Sequence, residues 1–528
     1  MTRKADPHST ASLLLQGGDE RLDLDPALGV NKYGCRPTPD PDLAAFGSST
    51  ASSVSRRGFA AADQLRRKLM AASPEQPAAQ LYQAELQAIR EELLTLCDLG
   101  DLPEPDVLFA ASGTDLHLIA THLVTRRGQH APMVIMMDPT ETGSGVTNAL
   151  RMRHFGRHTA QGRAGTVGAP VKPAGQEPQL VQVALRQPDG QPRPQADVHA
   201  EIETWVRRAV LAGQAVLLVT LDVSKTGMLA PGPGFAISLK QQWPDTVTVL
   251  VDASQFRLSG ATLSAYLRQG CLVAVTGSKF LTGPSFCGAL FVPAAWPTKR
   301  GTPSSMRALS GHCARADWPA HWPDRHLLPD TANFGLLLRW KAALAELRAF
   351  KRIPQGHTRH LLRVFGNAIQ RRLDSSETFE SLATHGLGRP ELNTPSSWDT
   401  LPTIFSFVLY GADAEGRRTP LTRAQTQRVY HLLQTDLSDI CPPDAPAREA
   451  QRARTRCQLG QPVPCGTRQG VPVSALRLSI SSRLVVEALS GSGSHAERVL
   501  QRAMLVLDKA EWLLQSSTLI YKEDVHAI

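Results

Sequence analysis

Residues 271–292, CLVAVTGSKFLTGPSFCGALFV, place a single lysine between two apolar runs. The runs CLVAVTG and GALFV have the length and the Val and Leu content of buried strands. Lys279 lies between them, in a turn rich in Thr, Ser, Gly and Pro. Because lysine is normally a solvated surface residue, this placement predicts a functional side chain at the end of a strand.

Four further apolar runs precede this stretch, and helical stretches alternate with them. They are DVLFAA (106–111), APMVIMMD (131–138), QAVLLVTLD (214–222) and TVTVLVDA (246–253). Their apolarity is continuous rather than alternating, which is typical of strands that are buried on both faces. The chain is therefore predicted to be an α/β protein with a mostly parallel sheet covered by helices.

The remaining sequence predicts two flanking units. Residues 1–60 are rich in Gly, Pro, Ser and Asp and predict an N-terminal arm, which is followed by the large α/β domain over 61–330. Residues 331–528 predict a connector helix and a smaller α+β C-terminal domain, with strands at TIFSFVLYG (403–411) and SALRLSISSRL (474–484). Residues 155–200 have few bulky side chains and predict an exposed loop or insertion.

The composition argues against several classes of protein. The net charge of +9, from 57 Lys and Arg against 48 Asp and Glu, is scattered, and no nucleic-acid motif accompanies it. The eight cysteines form no CxxC pair, so we expect neither a metal site nor a disulfide framework. No signal peptide and no apolar run long enough to span a membrane are found in the sequence. We expect a cytoplasmic protein that has no nucleic-acid or membrane partner and acts on small molecules.

Polar residues follow the predicted strands where parallel α/β sheets bind ligands. Ser112, Gly113 and Thr114 precede a helix, whose free N–H groups suit a phosphate. Asp252 ends one strand and Lys279 follows the next. Each feature alone is compatible with a helix cap, a turn or a surface lysine. Together they match the needs of pyridoxal 5′-phosphate (PLP): a phosphate cradle, a carboxylate for the ring nitrogen and an amine for the aldehyde.

Three segments resemble fold-type-I PLP-dependent enzymes, in the branch of class V aminotransferases and cysteine desulfurases. SGTD (112–115) resembles the phosphate loop of that family, and VDASQ (251–255) resembles its aspartate segment. TGSKFLTGPSFCGALFV (276–292) resembles its lysine segment. The resemblance covers roughly residues 105–295. It implies PLP fold type I for the large domain, a PLP cofactor and a homodimer.

The resemblance also implies roles for individual residues. Lys279 would form the Schiff base with PLP and move the substrate proton, and Asp252 would pair with the pyridine nitrogen. Gln255 would lie near the phenolic oxygen, and Ser224 stands where the family often has an asparagine. The phosphate would be held by Ser112, Gly113, Thr114, Thr276 and Ser278. Arg477, with Arg483 as the second candidate, would bind the substrate carboxylate through a bidentate fork.

The sequence also departs from the family pattern. The turn DPTETGSGVTN (138–148) lacks the aromatic residue that usually stacks on the cofactor ring. Thr142 could take that place, or His154 could substitute for it. In the arm, Asn31 and Tyr33 are candidates for substrate binding, because the N-terminal segment of similar enzymes often folds across the site.

Several functions remain open at this stage. An aminotransferase that uses an amino acid and a 2-oxo acid is the leading hypothesis. A cysteine desulfurase or carbon–sulfur lyase would need a reactive thiol, for which Cys441, Cys457 and Cys465 are candidates; the last lies in QLGQPVPCGTRQG, a possible loop at the site mouth. A decarboxylase and a catalytically silent binding protein on the same scaffold are further alternatives. A nicotinamide-binding protein is disfavoured, because no GxGxxG follows the first strand.

Overall fold

The computed structural model describes residues 8–100, 102–125, 130–171, 177–296, 303–413, 415–442, 444–491 and 493–515. Residues 1–7 of the predicted arm and 516–528 of the predicted small domain lie outside this part. The strands are β1 Ala44–Ala45, β2 Asp106–Ala110, β3 Met133–Met137, β4 Gln179–Val183, β5 Val216–Asp222, β6 Leu229–Ala230, β7 Val247–Ala253, β8 Leu272–Thr276, β9 Gly288–Val292, β10 Phe379–Ser381, β11 Ile404–Ala412, β12 Arg418–Pro420, β13 Cys457–Gln458, β14 Gly460–Arg468 and β15 Val471–Ser479.

The helices cover both faces of the main sheet and build much of the second domain. They are α1 Thr10–Leu14, α2 Arg56–Ala72, α3 Ala78–Leu96, α4 Gly113–Thr125, α5 Val146–Leu150, α6 Gln195–Leu211, α7 Pro233–Gln242, α8 Gly260–Arg268, α9 Pro303–Ala308, α10 Phe334–Lys351, α11 Gln355–Asp374, α12 Arg423–Leu433, α13 Ala447–Arg454, α14 Ser482–Leu489 and α15 Ser494–Gln515. No helix in the described ranges is long and apolar enough to cross a membrane.

The main sheet has the strand order β2-β9-β8-β7-β5-β3-β4, and β6 pairs with β5. Strands β4, β3, β5, β7 and β8 are parallel to their neighbours, whereas β9 runs antiparallel to both β8 and β2. The chain therefore reverses through the Lys279 turn between β8 and β9. The predicted α/β class with a mostly parallel sheet is confirmed.

Burial on both faces explains the continuous apolar runs. In β2, Leu108 and Phe109 are both fully buried but belong to two different apolar clusters, one on each side of the sheet. Neighbouring residues of a strand point to opposite faces, so both faces of these strands favour apolar residues. This arrangement distinguishes these strands from the alternating strands of a half-exposed sheet.

The second domain contains an antiparallel sheet with the order β10-β11-β15-β14, and β12 pairs with β11. The predicted strands at 403–411 and 474–484 correspond to β11 and β15, although the end of the second prediction lies in α14. The interpretation of QLGQPVPCGTRQG as a loop was wrong. Residues Gly460–Arg468 form β14, whose pairing with β15 is interrupted by two register shifts.

The prediction of an exposed loop over residues 155–200 was also wrong for part of that range. Gln179–Val183 forms the edge strand β4, which pairs in parallel with β3, and α6 begins at Gln195. The pattern was missed because LVQV alternates at the sheet edge. Val181 and Val183 are buried, whereas Gln179 and Gln182 are exposed, unlike the residues of the central strands, which are buried at successive positions.

The connector helix α10 packs directly against the turn that holds Lys279. A Cβ added at Gly277 would lie 2.6 Å from Cβ of Ala343, and one added at Gly283 would lie 2.7 Å from the same atom. Both distances are far below van der Waals contact, so glycine is required at these two positions. The close contact fixes the lysine turn against the core of the protein.

Candidate active site

A cavity of about 260 Å³ opens at the carboxyl ends of the parallel strands. The ends of β5, β7 and β8, the start of α4, the arm, and residues of β14 and β15 all contribute to its wall. This is the edge at which α/β sheets bind ligands. The cavity is therefore shared by the large domain, the small domain and the N-terminal segment.

Most of the residues predicted from sequence meet in this cavity. Those that line it are Tyr33, Ser112, Gly113, Thr114, Thr142, Ser224, Asp252, Gln255, Thr276, Ser278, Lys279 and Arg477. Asn31 lies behind the wall, where its Nδ2 is 3.4 Å from Oγ of Ser285. Arg483 does not line the cavity and donates to the carbonyl oxygen of Ser53 at 3.0 Å.

Asp252 and His117 form a buried pair at the floor of the cavity. Nε2 of His117 lies 3.1 Å from Oδ2 of Asp252, and Nδ1 of His117 lies 2.7 Å from the carbonyl oxygen of Gly113. Burial by itself raises the pKa of Asp252, but the charge and hydrogen bond of His117, together with Lys279, outweigh this effect. The pKa of Asp252 is held well below its usual range.

Lys279 occupies the turn after β8 and is partly exposed to the cavity. Its carbonyl oxygen accepts a hydrogen bond from Oγ of Ser52 at 3.0 Å, which ties the turn to the arm. Burial lowers the pKa of Lys279 to about 8; Asp252 opposes this shift, and Arg477 and Arg257 add to it. A substantial fraction of this amine is therefore neutral near physiological pH.

The start of α4 is a candidate anion cradle. Oγ of Ser112 donates to Asp115 at 2.6 Å, and no acceptor for the backbone N–H groups of Gly113 and Thr114 is found within the described ranges. A Cβ at Gly113 would come within 3.2 Å of Oγ of Ser254, so the backbone here approaches its neighbours closely. Free N–H groups at a helix N-terminus, beside hydroxyl groups, suit a phosphate.

Arg21 of the N-terminal segment reaches the same cradle. Its Nη1 donates to Oγ1 of Thr114 at 3.1 Å, and its Nη2 lies 3.4 Å from Oγ of Ser112. The guanidinium is oriented by Asp19, with contacts of 2.8 and 2.6 Å, and lies 4.7 Å from the ring centre of Phe286. The arm therefore brings a positive charge to the proposed phosphate position.

Two polar side chains predicted near the cofactor ring are also tied to other parts of the chain. Nε2 of Gln255 donates to the carbonyl oxygen of Ser49 in the arm at 2.8 Å. Oγ of Ser224 donates to Glu141 at 2.6 Å, and the same carboxylate accepts from the backbone N–H of Thr226 at 3.0 Å. Glu141 thus holds the β5 loop against the turn that follows β3.

The backbone is strained at two positions in the cavity wall. Val223 has a φ of 61° and Phe286 has a φ of 75°, in the left-handed region that disfavours side chains with a Cβ. Val223 is β-branched, for which this conformation is a genuine outlier. Such strain concentrates at functional sites, where the surrounding structure enforces it.

The geometry does not support a thiol nucleophile in this cavity. All eight cysteines fall within the described ranges, and none of them lines the cavity wall. Burial raises the pKa of Cys457 to about 12 and that of Cys465 to about 11. His154 also lies away from the cavity wall and stacks on His312, with 5.7 Å between the ring centres. Within the described ranges, no cluster of three or more metal-ligating side chains is present.

Four functional candidates were not assigned from the sequence: Arg21, His117, Glu141 and Lys225. His117 follows Gly113 by one helical turn, so the i, i+4 spacing predicts that it lies on the same helix face as Gly113. Lys225 stands directly after Ser224, at the end of a predicted strand. Nothing local marks Arg21 or Glu141, because their partners are distant in sequence.

Comparison with known proteins supports the fold. No protein-family model and no curated protein sequence matches the chain. Among solved structures, a NifS-like protein is similar, with 14% identity, a TM-score of 0.50, and coverage of 88% of this chain and 99% of that chain. Mouse CSAD is also similar, with 14% identity, a TM-score of 0.51, and coverage of 91% and 85%. A C-DES variant with glycine covalently linked to its PLP cofactor has 14% identity and a TM-score of 0.49, with coverage of 88% and 99%.

Sequence identities of this size indicate a shared fold rather than a shared reaction. In this chain that fold consists of a mostly parallel sheet with the reversed strand β9 and an antiparallel C-terminal sheet. The chain therefore has the fold type I architecture of PLP-dependent enzymes.

Proposed function

We propose that this protein binds PLP through Lys279 and acts on the amino group of an amino acid. The observation that carries the proposal is the joint placement of Lys279 and Asp252. Asp252 lies at the end of β7, and Lys279 follows the adjacent parallel strand β8. Both side chains line one cavity and interact electrostatically. A lysine amine and an ionised carboxylate are the two groups that PLP requires from a protein.

The other residues of the cavity fit the cofactor as well. The N–H groups of Gly113 and Thr114, for which the described part of the chain offers no acceptor, would hold the phosphate together with the guanidinium of Arg21. Asp252 would bind the pyridine nitrogen, because His117 keeps the carboxyl group ionised. Bound PLP would supply the electron sink that stabilises negative charge at Cα of an amino acid.

Within this site Lys279 would carry the proton. Its pKa of about 8 means that the amine can accept a proton and return it near neutral pH. The strained turn at Val223 and the closely packed turn at Gly277 would hold the surrounding groups in fixed positions. Fixed groups cost no reorganisation during the reaction.

Among PLP reactions, we favour transamination. It requires one mobile proton carrier and no further nucleophile, and Lys279 meets that need. A desulfurase would need a reactive thiol, and the buried cysteines do not provide one at the cavity wall. The amino-acid substrate and its 2-oxo-acid partner would enter the same cavity in turn.

Spectroscopy with two lysine variants tests the proposal. PLP added to the purified protein should give an absorbance band above 400 nm, and borohydride should fix the cofactor on Lys279. Lys279→Ala should abolish this fixation, whereas Lys68→Ala should retain it, because Lys68 lies on the exposed surface of α2. A protein that gives no band with PLP would refute the cofactor assignment.

A panel of amino acids then separates the reactions. Conversion of the bound cofactor to its pyridoxamine form, with release of a 2-oxo acid, supports transamination. Release of sulfide or of carbon dioxide without that conversion would refute transamination in favour of desulfuration or decarboxylation.

A further inference from the structure

Arg477, the carboxylate-binding candidate of the sequence analysis, already uses all five of its N–H donors. Nε and Nη2 donate to the carbonyl oxygen of Gln461 at 3.1 and 2.5 Å. Nη1 donates to the carbonyl oxygens of Ser49 and Lys225, both at 3.2 Å, and Nη2 donates to Oγ1 of Thr50 at 2.6 Å. The side chain is 1% exposed. Arg477 therefore fastens the arm, the β5 loop and β14 together, and a substrate would have to displace these contacts to reach it.

Lys225 is a second cation of the cavity, next to Arg477. It lines the cavity and is partly buried. Within the described ranges, its Nζ forms no hydrogen bond and no ion pair. Desolvation, Arg477 and Lys279 together lower its pKa to about 7. An ammonium group in this position is stabilised by any anion that enters the cavity.

The other cations of the cavity have different positions or partners. Arg21 is held by Asp19 at the phosphate cradle. Lys279 is assigned to the cofactor aldehyde, and Lys32 is exposed at the mouth. Glu141 and Asp138 attract Lys225 electrostatically and partly oppose the lowering of its pKa. Glu141 accepts hydrogen bonds from Ser224 and Thr226, and within the described ranges neither carboxylate forms an ion pair with Lys225.

We propose that Lys225 binds the α-carboxylate of the amino-acid substrate, in place of Arg477. The inference rests on the proposed function, because it concerns a ligand whose amino group reacts at Lys279. Lys225 enters the cavity from the loop after β5, next to Arg477, and interacts with Lys279 electrostatically. A carboxylate bound there would gain a charge-assisted hydrogen bond while the internal contacts of Arg477 stay intact.

Two reagents that react with the aldehyde of PLP test this assignment on the PLP-loaded protein. They differ by one carboxylate group. Aminooxyacetate carries the carboxylate, whereas methoxyamine does not, and each bleaches the absorbance of bound PLP. In the native protein, aminooxyacetate should react faster than methoxyamine. In Lys225→Met, the rate constant for aminooxyacetate should fall about 10- to 100-fold, which is typical for the loss of a hydrogen bond to a charged group. The rate constant for methoxyamine should stay within about twofold.

Matched variants distinguish the loss of carboxylate binding at Lys225 from the loss of any positive charge near the cavity. Lys225→Gln should reproduce the loss and provides a second test if the methionine variant does not fold. Lys32→Met removes a cation at the mouth and should leave the ratio of the two rate constants unchanged. An unchanged ratio in both Lys225 variants, or an equal loss in Lys32→Met, would overturn the assignment. A native protein whose absorbance responds to neither reagent would instead refute the PLP assignment itself.

Discussion

The rate at which Lys279 reacts with an aldehyde should depend on pH, and its midpoint should lie at the lowered pKa of this lysine. Only the neutral amine attacks an aldehyde, so the rate rises with pH through the pKa of the lysine. An ordinary lysine with a pKa near 10.5 is neutral in about one molecule in a thousand at pH 7.5. With a pKa of about 8, about a quarter of Lys279 is neutral at that pH. At pH 7.5 the neutral fraction of Lys279 should therefore exceed that of a surface lysine about 200-fold, and Lys279 should react faster with an aldehyde.

Asp252→Asn provides the perturbation, because Asp252 is the neighbour that raises the pKa of Lys279. Without the negative charge of Asp252, only desolvation and the positive charges of Arg477 and Arg257 act on the pKa of Lys279, and all three lower it. The midpoint of the pH profile should therefore move below 8 in the variant, and the rate near pH 7 should rise relative to the rate at pH 9. A simple loss of reactive amine would give no such shift.

The assay uses protein freed of cofactor and pyridoxal, which lacks the phosphate and so isolates the amine. Lys225 also has a lowered pKa, of about 7, so the profile is measured in the Lys225→Met background. Borohydride reduction and peptide mapping then identify the labelled residue. A midpoint near 10, or a shift of the midpoint to higher pH in Asp252→Asn, would contradict the electrostatic reasoning.

Three further predictions test the supports of the site. Arg21→Met should weaken binding of PLP about tenfold without changing binding of pyridoxal, measured by absorbance titration; equal effects on both would argue against phosphate binding by Arg21. Arg389→Met should lower the free energy of unfolding by about 3–5 kcal/mol in urea, because it removes the charged partner of the buried carboxylate of Asp222 and leaves only the hydroxyl of Tyr266 donating to it. A loss below about 1 kcal/mol would mean that water reaches that pair. Gly277→Ala should cost about 1–3 kcal/mol in the same assay through its overlap with Ala343, and an unchanged midpoint would show that α10 can shift.

The fold was predictable because its signal is local. The central strands, such as Val247–Ala253, are apolar at most positions on both faces, since both faces of the sheet are covered. The strands that were missed or misread lie at edges or contain irregular pairing. Gln179–Val183 is only half covered, and Gly460–Arg468 includes a proline-rich segment with register shifts. At such positions apolar periodicity is weak, so the sequence pattern predicts a loop.

The sequence by itself determined the order of the strands along the chain and the residues that follow each one, because both are properties of short segments. Asp252 and Lys279 meet because adjacent parallel strands end at the same edge. Only the tertiary structure decided which charges are available there. Arg21, near the N-terminus, donates a hydrogen bond to Thr114. Arg477 donates its hydrogen bonds to the carbonyl groups of Ser49 and Gln461, so they are not available to a ligand. These contacts join segments far apart in sequence, and their formation depends on packing of the whole chain rather than on any local pattern.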